Sequence, residues 1–490
     1  MPVSAPPTGP PLSRRRWIAL GVVLSAAFMD NVDATILGIA LPRIQRDLGA
    51  GHTAAQWSLA GYALAFALLL ITGGRLGDIF GRRRLFLIGV AGFTAASVAC
   101  GAAMTPEALV AGRLAQGAMA ALMVPQVMSV IVTMFAPAER TLAFSLLGAV
   151  LSAGSVSAPL LGGLLTEYDV LGTGWRAIFY VNVPIGILAF CAALRFMPET
   201  RSDRPLRLDL IGVALVTSAT LGIMYPLVRG PAEGLPAWTF AVTAGGVALL
   251  GLFVVQQRRR HRRDGSALVP PTLFRRRSFT AGVVVVLLVF SGVTSFFLVL
   301  TYQLQSGLGW TPLRTALVTL AWPVGITATT HLALRHGAAH GRRLIGAGAL
   351  TMAAGTLVTI ACVRVMGAGL AWPHVAAAEL VVGLGMGLCV PILTGVVLGD
   401  VPADDAGAGS GVVNTGIQFG TAAGITIVGA VFFALVTEGT GDLADRFGAA
   451  TATALWCNVG VFVLAALLSP LLSAPSPAEP SGPFRDAGVP

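Results

Sequence analysis

The segment RLGDIFGRR at residues 75–83 returns in altered form as RHGAAHGRR at residues 335–343. Both copies fit the pattern R-x-G-x-x-x-G-R-R, and they lie 260 residues apart. A second pair of segments, RLAQGAMAALMVP at 113–125 and ELVVGLGMGLCVP at 379–391, shares a Gly and a closing Val-Pro at an offset of 266. Two matches at nearly equal offsets predict that the chain contains two related halves.

The composition indicates a membrane protein. Of the 490 residues, 55% are hydrophobic and 11% are charged, whereas soluble domains carry about 25% charged residues. All 32 basic residues are arginine, and the phosphate-binding loop of P-loop ATPases requires a lysine. The composition therefore excludes a built-in ATP motor of that type and gives no reason to expect a nucleotide or nucleic-acid partner.

Fourteen apolar runs are long enough to cross a bilayer, since one helical span needs about 20 residues. The connections after even-numbered runs, together with both termini, hold 24 arginines, against 7 in the odd-numbered connections. Because basic loops stay on the cytoplasmic side, this asymmetry predicts that both termini are cytoplasmic. The predicted spans are 17–41, 54–76, 84–104, 107–135, 141–166, 177–197, 208–228, 237–257, 279–302, 312–334, 343–363, 373–399, 409–436 and 451–473.

The expected fold is an all-α integral membrane protein with two pseudo-symmetric six-helix bundles and two inserted central helices. The predicted organisation is an N-terminal bundle at 17–200, the inserted helices with a basic loop at 201–278, and a C-terminal bundle at 279–473. The proline-rich segments 1–16 and 474–490 are predicted to be disordered cytoplasmic tails. The spans leave no room for a soluble domain, so the function must reside among the helices.

Two acids lie inside the first predicted span, in FMDNVDATILGIALP at residues 28–42. A charged carboxylate at the centre of a bilayer costs roughly 3 kcal/mol on insertion scales. Asp30 and Asp33 are three residues apart and share one helix face. We expect them to bind and release protons, and Arg113 in span 4 is the candidate partner. Glu379 stands at the corresponding place in the second half.

Four motifs carry a family resemblance: GRLGDIFGRRR (74–84), RLAQGAMAA (113–121), DATILGIALP (33–42) and WRAIFYVNVPIG (175–186). With them the chain resembles the major facilitator superfamily, and within it the fourteen-helix drug–proton antiporters of the EmrB/QacA type. The resemblance implies the major facilitator fold and alternating access. It also implies that Arg113 and Glu379 line the cavity and couple the two halves.

The resemblance implies two further functional segments. The loop after span 2 is similar to a latch that holds the cytoplasmic gate shut; its residues are Gly74, Gly77, Asp78, Gly81, Arg82 and Arg83. Span 5, GAVLSAGSVSAPLLGG at 148–163, resembles the antiporter motif, whose bend falls on Pro159, Gly162 and Gly163. It departs from that motif at Ala158, where the family has Gly.

The leading hypothesis is export of small amphipathic organic molecules, such as antibiotics, in exchange for protons across the bacterial cell membrane. Alternatives on the same fold are a proton-coupled uptake symporter and a dedicated exporter of one endogenous metabolite. A lipid-modifying enzyme would need a nucleophile or His/Asp cluster, and a channel would need a filter segment; neither is evident. We expect no catalytic residues, cofactor or metal, and the five cysteines form no C-x-x-C pair.

Overall fold

The structure is a computed structural model that describes residues 14–169, 172–201, 209–230, 233, 236–264, 271–399, 401 and 406–472. The predicted tail 474–490 lies outside the described residues, as does most of 1–16. The first helix begins at Arg14, inside the segment predicted as tail.

The described chain is built from helices, and fourteen segments are long and apolar enough to cross a membrane, as predicted. The helices are α1 (Arg14–Asp47), α2 (His52–Phe80), α3 (Arg82–Gly101), α4 (Pro106–Met134), α5 (Pro137–Glu167), α6 (Ala177–Tyr180), α7 (Asn182–Phe196), α8 (Leu210–Arg229), α9 (Ala237–Asp264), α10 (Arg277–Tyr302), α11 (Pro312–Thr319), α12 (Ala321–Met366), α13 (Trp372–Leu398), α14 (Ala406–Glu438) and α15 (Leu443–Leu468). Single turns at Gly174–Arg176, Leu273–Arg275, Gly367–Gly369 and Ser469–Leu471 join or end them, and a wider turn, Gln303–Gly307, extends α10.

Two of the differences from the predicted helix boundaries involve proline. The sequence predicts that span 1 ends at residue 41, but α1 continues through Pro42 to Asp47. Burial of Leu41 and Ile44 against neighbouring helices outweighs the one backbone hydrogen bond that proline removes. The predicted span 312–334 is instead divided between α11 and the first part of α12, which is kinked at His340 (φ −128°) before its second part crosses the membrane as a separate span. Pro323 cannot donate to the Thr319 carbonyl, so the helix breaks where that bond is missing.

The packing repeats between the two halves at the offsets found in the sequence. Gly117 on α4 lies against the backbone carbonyl of Tyr62 on α2. Gly383 on α13 lies in the same way against the carbonyl of Trp322 on α12. Glycine is needed at both places because a Cβ would meet backbone atoms of the neighbouring helix. The duplication therefore preserves close helix contacts of the kind that small residues permit in membranes.

The helices form two groups that meet along a shared surface. Helices α1–α7 pack together, and α10–α15 form the second group. Between the groups, α2 packs along α14 and α5 packs on α11. Helices α8 and α9 pair with each other, and α8 rests on both α2 and α14. The inserted pair thus covers one side of the junction between the halves.

The close glycine contacts generate a stability prediction. Gly117→Ala and Gly383→Ala should each lower the stability by about 1–3 kcal/mol, because the added methyl forces the paired helices apart. Gly148→Ala is the matched control, since a Cβ at that position on α5 has nothing within 4 Å. Thermal unfolding of the purified protein in detergent measures the difference. Equal melting temperatures for all three variants would contradict the proposed packing role.

Candidate functional site

Asp33 and Arg113 form a buried ion pair between α1 and α4. The Arg113 Nη1 atom lies 2.5 Å from Asp33 Oδ2, and each residue is only 1% exposed. The backbone carbonyl of Ser58 on α2 accepts a hydrogen bond of 3.1 Å from Arg113 Nε. The pair thus fixes three helices of the first half around one charge contact.

Amide side chains complete the coordination of Asp33. The Nε2 atom of Gln116 donates to Asp33 Oδ1 over 2.9 Å, and Nδ2 of Asn182 donates to the same oxygen over 2.7 Å. Gln116 also donates to the Ser97 hydroxyl over 2.8 Å. Both carboxylate oxygens therefore accept hydrogen bonds from N–H donors, which satisfies a buried charge that would otherwise be very costly.

Asp30 belongs to the same site but lies nearer to open space. The Tyr62 hydroxyl donates to Asp30 Oδ1, and the Arg113 guanidinium carbon sits 4.3 Å from the centre of the Tyr62 ring. Asp30 is half-buried and Ala34, one turn further along α1, is exposed. Helices of both halves contact α1. Tyr62 thereby links the half-buried acid to the buried pair.

Glu379 lies apart from this network, in the second half. It is 1% exposed, and Thr319 on α11 donates to its Oε1 atom over 3.3 Å. Its Oε2 atom has no hydrogen-bond partner within the described part of the chain. A buried carboxyl oxygen without a partner is costly, and here it leaves one hydrogen-bonding position of the acid unfilled.

The second half carries a neutral version of the Asp33 arrangement. Asn458 on α15 donates to the Ser295 hydroxyl on α10 over 2.9 Å, much as Asn182 donates to Asp33 in the first half. The serine offers no charge, so the related polar contact in this half holds no ion pair of its own. The halves are alike in packing and unlike in charge.

The predicted latch residues form contacts within the first half. Asp78 accepts hydrogen bonds from the Arg82 guanidinium at 2.8 and 3.1 Å. Arg83 donates to the Leu194 carbonyl at the end of α7. Gly81 adopts a positive φ of 111°, which permits the sharp turn between α2 and α3. The remaining latch residues, Gly74 and Gly77, lie in the last turns of α2 against Pro125 and Gln126 of α4. The loop is thus held rigidly on α4 and α7.

The predicted bend of α5 faces both halves. Pro159 lies within the continuous helix α5. A Cβ on Gly162 would contact Ile36 of α1, whereas one on Gly163 would lie 2.8 Å from the Cβ of Ala316 on α11. Gly162 therefore lets α5 approach α1, and Gly163 lets it approach α11 of the second half.

Three hydrogen bonds join the halves toward the end of the bundle that is far from Arg14; we call these contacts the distal seam. Tyr302 donates to Gln45 Oε1 over 2.7 Å. Gln305 donates to the Ile39 carbonyl over 2.8 Å, and Leu313 N–H donates to Glu167 Oε2 over 3.0 Å. The bundle is therefore closed at its distal end in this conformation.

Sequence reasoning named the acids and Arg113 but missed the polar residues that complete the site. Gln116 and Asn182 occur inside motifs already identified, RLAQGAMAA and WRAIFYVNVPIG. The sequence did contain an indication of these two residues, because an uncharged polar side chain in an apolar span requires a partner.

Among the described residues, no group of three or more His, Cys, Asp or Glu side chains could hold a metal ion.

The ion pair generates a stability prediction. Asp33→Asn and Arg113→Gln should each cost about 3–5 kcal/mol, because each leaves a buried charge without its partner. The double variant should recover part of that loss, since neither charge then remains. Asp30→Asn, at a half-buried carboxyl, should cost only about 1 kcal/mol. Thermal unfolding in detergent tests this, and a double variant as unstable as the sum of the singles would contradict it.

Known proteins resemble this chain over most of its length. Residues 23–425 match the family model described as Major Facilitator Superfamily. The chain is 40% identical over 439 residues to the probable actinorhodin transporter of Streptomyces coelicolor, covering 89% of this chain and 76% of that one. It is 34% identical to Puromycin resistance protein pur8 of Streptomyces alboniger, covering 93% and 91%.

The multidrug efflux pump LfrA of Mycolicibacterium smegmatis is 30% identical, with 90% of this chain and 88% of that one covered. Among solved structures, a POT family transporter in complex with 5-aminolevulinic acid superposes with a TM-score of 0.64 at 15% identity, over 92% and 96% of the two chains. A bacterial homolog of the human lysosomal transporter Spinster gives 0.62 at 15% identity, over 94% and 96%. This multi-pass membrane protein belongs to the major facilitator superfamily.

Proposed function

We propose that this protein exports small amphipathic organic molecules across the cell membrane in exchange for protons. The relatives are named for transport of or resistance to actinorhodin, puromycin and several drugs, which supports export as the direction. The main support for proton exchange is the Asp33–Arg113 ion pair, which is buried within the first half and has a second acid, Asp30, beside it.

The exchange step uses the alternative partners of Arg113. With Asp33 ionised, Arg113 pairs with it, and three N–H donors hold the carboxylate in place. Protonation of Asp33 removes its charge and weakens that contact. Arg113 then turns toward Asp30, whose hydrogen-bond partner Tyr62 has its ring centre 4.3 Å from the Arg113 guanidinium carbon. Because both acids lie on one face of α1, a proton on either one changes how α4 is held against α1.

The two states differ in which end of the bundle is open. The arginine-rich connections support a cytoplasmic position for the termini, which makes the distal seam the outer gate. The outer gate is closed, and both oxygens of Asp33 accept hydrogen bonds, as those of an ionised carboxylate do. This conformation therefore corresponds to the state that has released its proton inward. Cargo binding and protonation shift the equilibrium only by their different affinities for the two states. For exchange, the proton and the cargo must therefore compete for the same state.

Glu379 and the latch loop have supporting roles in this scheme. The unpaired Oε2 atom of Glu379 supports a second proton or cation position in the half that lacks an ion pair at Ser295. Asp78 and Arg82 brace the turn between α2 and α3, and α2 is the helix that packs along α14 of the other half. Bracing that turn lets α2 move with its bundle as one body.

A narrower cargo range is the second candidate. The probable actinorhodin transporter and the tetracenomycin C resistance and export protein are each named for one compound, whereas others are named for multidrug resistance or efflux. A dedicated exporter would keep the same proton site and differ only in the residues that contact the cargo. An uptake symporter would move cargo and protons in the same direction.

The proton role of Asp33 is tested by efflux. Cells expressing the wild-type chain should expel ethidium or puromycin, and an uncoupler should abolish the efflux. Asp33→Asn should lower energised efflux at least tenfold, because the side chain can no longer exchange a proton. Asp209→Asn is the matched control, since Asp209 is also a buried acid beside an arginine, Arg260, but lies in the inserted pair. Protein abundance in the membrane is measured for each variant.

Three results would contradict the proposal. Undiminished energised efflux by Asp33→Asn would place the proton site elsewhere. Accumulation of the dye driven by an inward proton gradient would indicate symport. Failure of the wild type to move either compound would contradict a broad cargo range and favour the dedicated exporter.

The distal seam is tested by cross-linking. In a variant without the five native cysteines, Glu167→Cys with Leu313→Cys places one thiol on each half at the seam. Joining them with a short bis-methanethiosulfonate linker should stop transport, and reduction should restore it, because alternating access requires this end to open. Gly439→Cys with Arg446→Cys is the control: a Cβ at Gly439 would lie 3.4 Å from that of Arg446 within the same half. Transport that continues through a cross-linked seam would contradict alternation at this end.

A further inference from the structure

The inserted pair α8–α9 is held together at its basic end and contacts α2 at its distal end. At the basic end, Asp209 is fully buried and accepts hydrogen bonds from Gln256 and Gln257 of α9, at 2.9 and 2.5 Å. Arg260 pairs with the same carboxylate at 2.9 Å. At the distal end, Tyr225 of α8 contacts the Trp57 ring of α2, with 6.3 Å between ring centres. The pair is thus a rigid wall on the junction of the two halves.

Between these attachments the wall does not close completely. A cavity of about 270 Å³ separates α8 and α9 from α2 and α14. Apolar side chains line it, among them Leu68, Val216, Phe253 and Phe419. Its volume lies just below the range of about 300–1,000 Å³ typical of drug-sized ligand pockets. The space therefore suits a slim apolar chain better than a bulky fused-ring compound.

The cavity opens sideways toward the bilayer. Three of its lining side chains are substantially exposed: Leu250 by 40%, Val254 by 41% and Phe274 by 46%. They lie on α9 and on the turn before α10, which form the outer rim. The lining also includes Thr415 of α14, whose hydroxyl is buried and has no hydrogen-bond partner among the described residues. The cavity thus offers one polar atom in an apolar channel.

A basic rim lies beside the opening. Leu250, Val254 and Arg258 are four residues apart along α9, so they follow one another on the same helix face. Arg258 is exposed, and so is Arg275, which follows Phe274 directly in the chain. Arginines at the membrane boundary attract anionic lipid headgroups, and basic pockets between helices on the cytoplasmic side bind them.

We propose that this cavity binds one acyl chain of an anionic phospholipid, with the lipid phosphate on Arg258 and Arg275. Three observations favour a lipid over cargo: the slim apolar volume, the opening toward the bilayer and the positive rim. Thr415 can donate to an ester carbonyl of the same lipid. The site is separate from the Asp33 network and does not depend on proton exchange or on export.

The site gives the lipid a way to influence conformation. Its walls include α2 from one half and α14 from the other, and these helices pack along each other at the junction. A change between inward-open and outward-open states moves the two halves relative to one another and so alters the cavity. A lipid that fits the present arrangement favours it over the alternative, by its difference in affinity for the two states.

The test measures lipid binding to the purified full chain in detergent. Fluorescent phosphatidylglycerol and phosphatidylcholine with identical chains are titrated and followed by anisotropy. The wild type should bind phosphatidylglycerol at least fivefold more tightly. Val254→Trp, which fills the cavity, should weaken both lipids about tenfold. Arg258→Gln with Arg275→Gln should abolish the preference by weakening phosphatidylglycerol more than phosphatidylcholine, because the quaternary ammonium of phosphatidylcholine already offsets the attraction of its phosphate to the arginines.

Matched controls separate the site from general surface effects. Leu252→Trp adds the same side chain on α9 at a residue that is 52% exposed and does not line the cavity. Arg195→Gln removes an exposed arginine at the basic end of α7, away from the inserted pair. Both controls should bind lipid like the wild type. Size-exclusion profiles and melting temperatures establish that each variant is folded.

Three results would overturn the proposal. One is equal binding of the two lipids by the wild type. Another is a failure of Val254→Trp to weaken lipid binding more than Leu252→Trp does. The third is weakened binding of a neutral amphipathic dye by Val254→Trp with lipid binding intact, which would make the occupant cargo and not lipid.

Discussion

The buried contact between Asp33 and Arg113 is the constraint on which the first half depends. Lipid supplies no water to solvate either charge, so the two must meet each other and the surrounding amides. That requirement sets the spacing of α1, α2, α4 and α7, because Ser58, Gln116 and Asn182 must all reach the pair. A site that satisfies its charges so fully is also sensitive to one proton, since neutralising Asp33 removes the partner that Arg113 needs.

The two halves show what duplication preserves and what it leaves free to change. The glycine contacts at Gly117 and Gly383 recur because they concern backbone packing, which any related bundle must retain. The charges do not recur: Glu379 replaces Arg113, and Ser295 with Asn458 stands where the first half has Asp33 with Asn182. One half thus holds a compensated ion pair and the other an acid with an unsatisfied oxygen, a difference suited to coupling two ligands of unlike charge.

The inserted helices add a surface that a twelve-helix arrangement would not have. Because α8 rests on α2 and α14 together, the pair spans the line along which the halves meet. Polar contacts at Asp209 hold α8 to α9 near the arginine-rich loops, and Tyr225 contacts α2 at the distal end. A gap remains between these two regions, and the bilayer lies outside that gap.

The sequence by itself determined the number of spans, the two related halves and the presence of acids within the spans, because apolar length, repeat offsets and a charge in lipid are all local properties. It also contained Gln116 and Asn182 without showing their role, since a polar residue in a span gives no sign of which partner it meets. Only the tertiary structure decided that Arg113 pairs with Asp33 and not with Asp30, that α1 continues past Pro42, and that a cavity remains beside α8 and α9. These depend on packing between segments far apart in the chain, where burial of many side chains outweighs the local preference of any one residue.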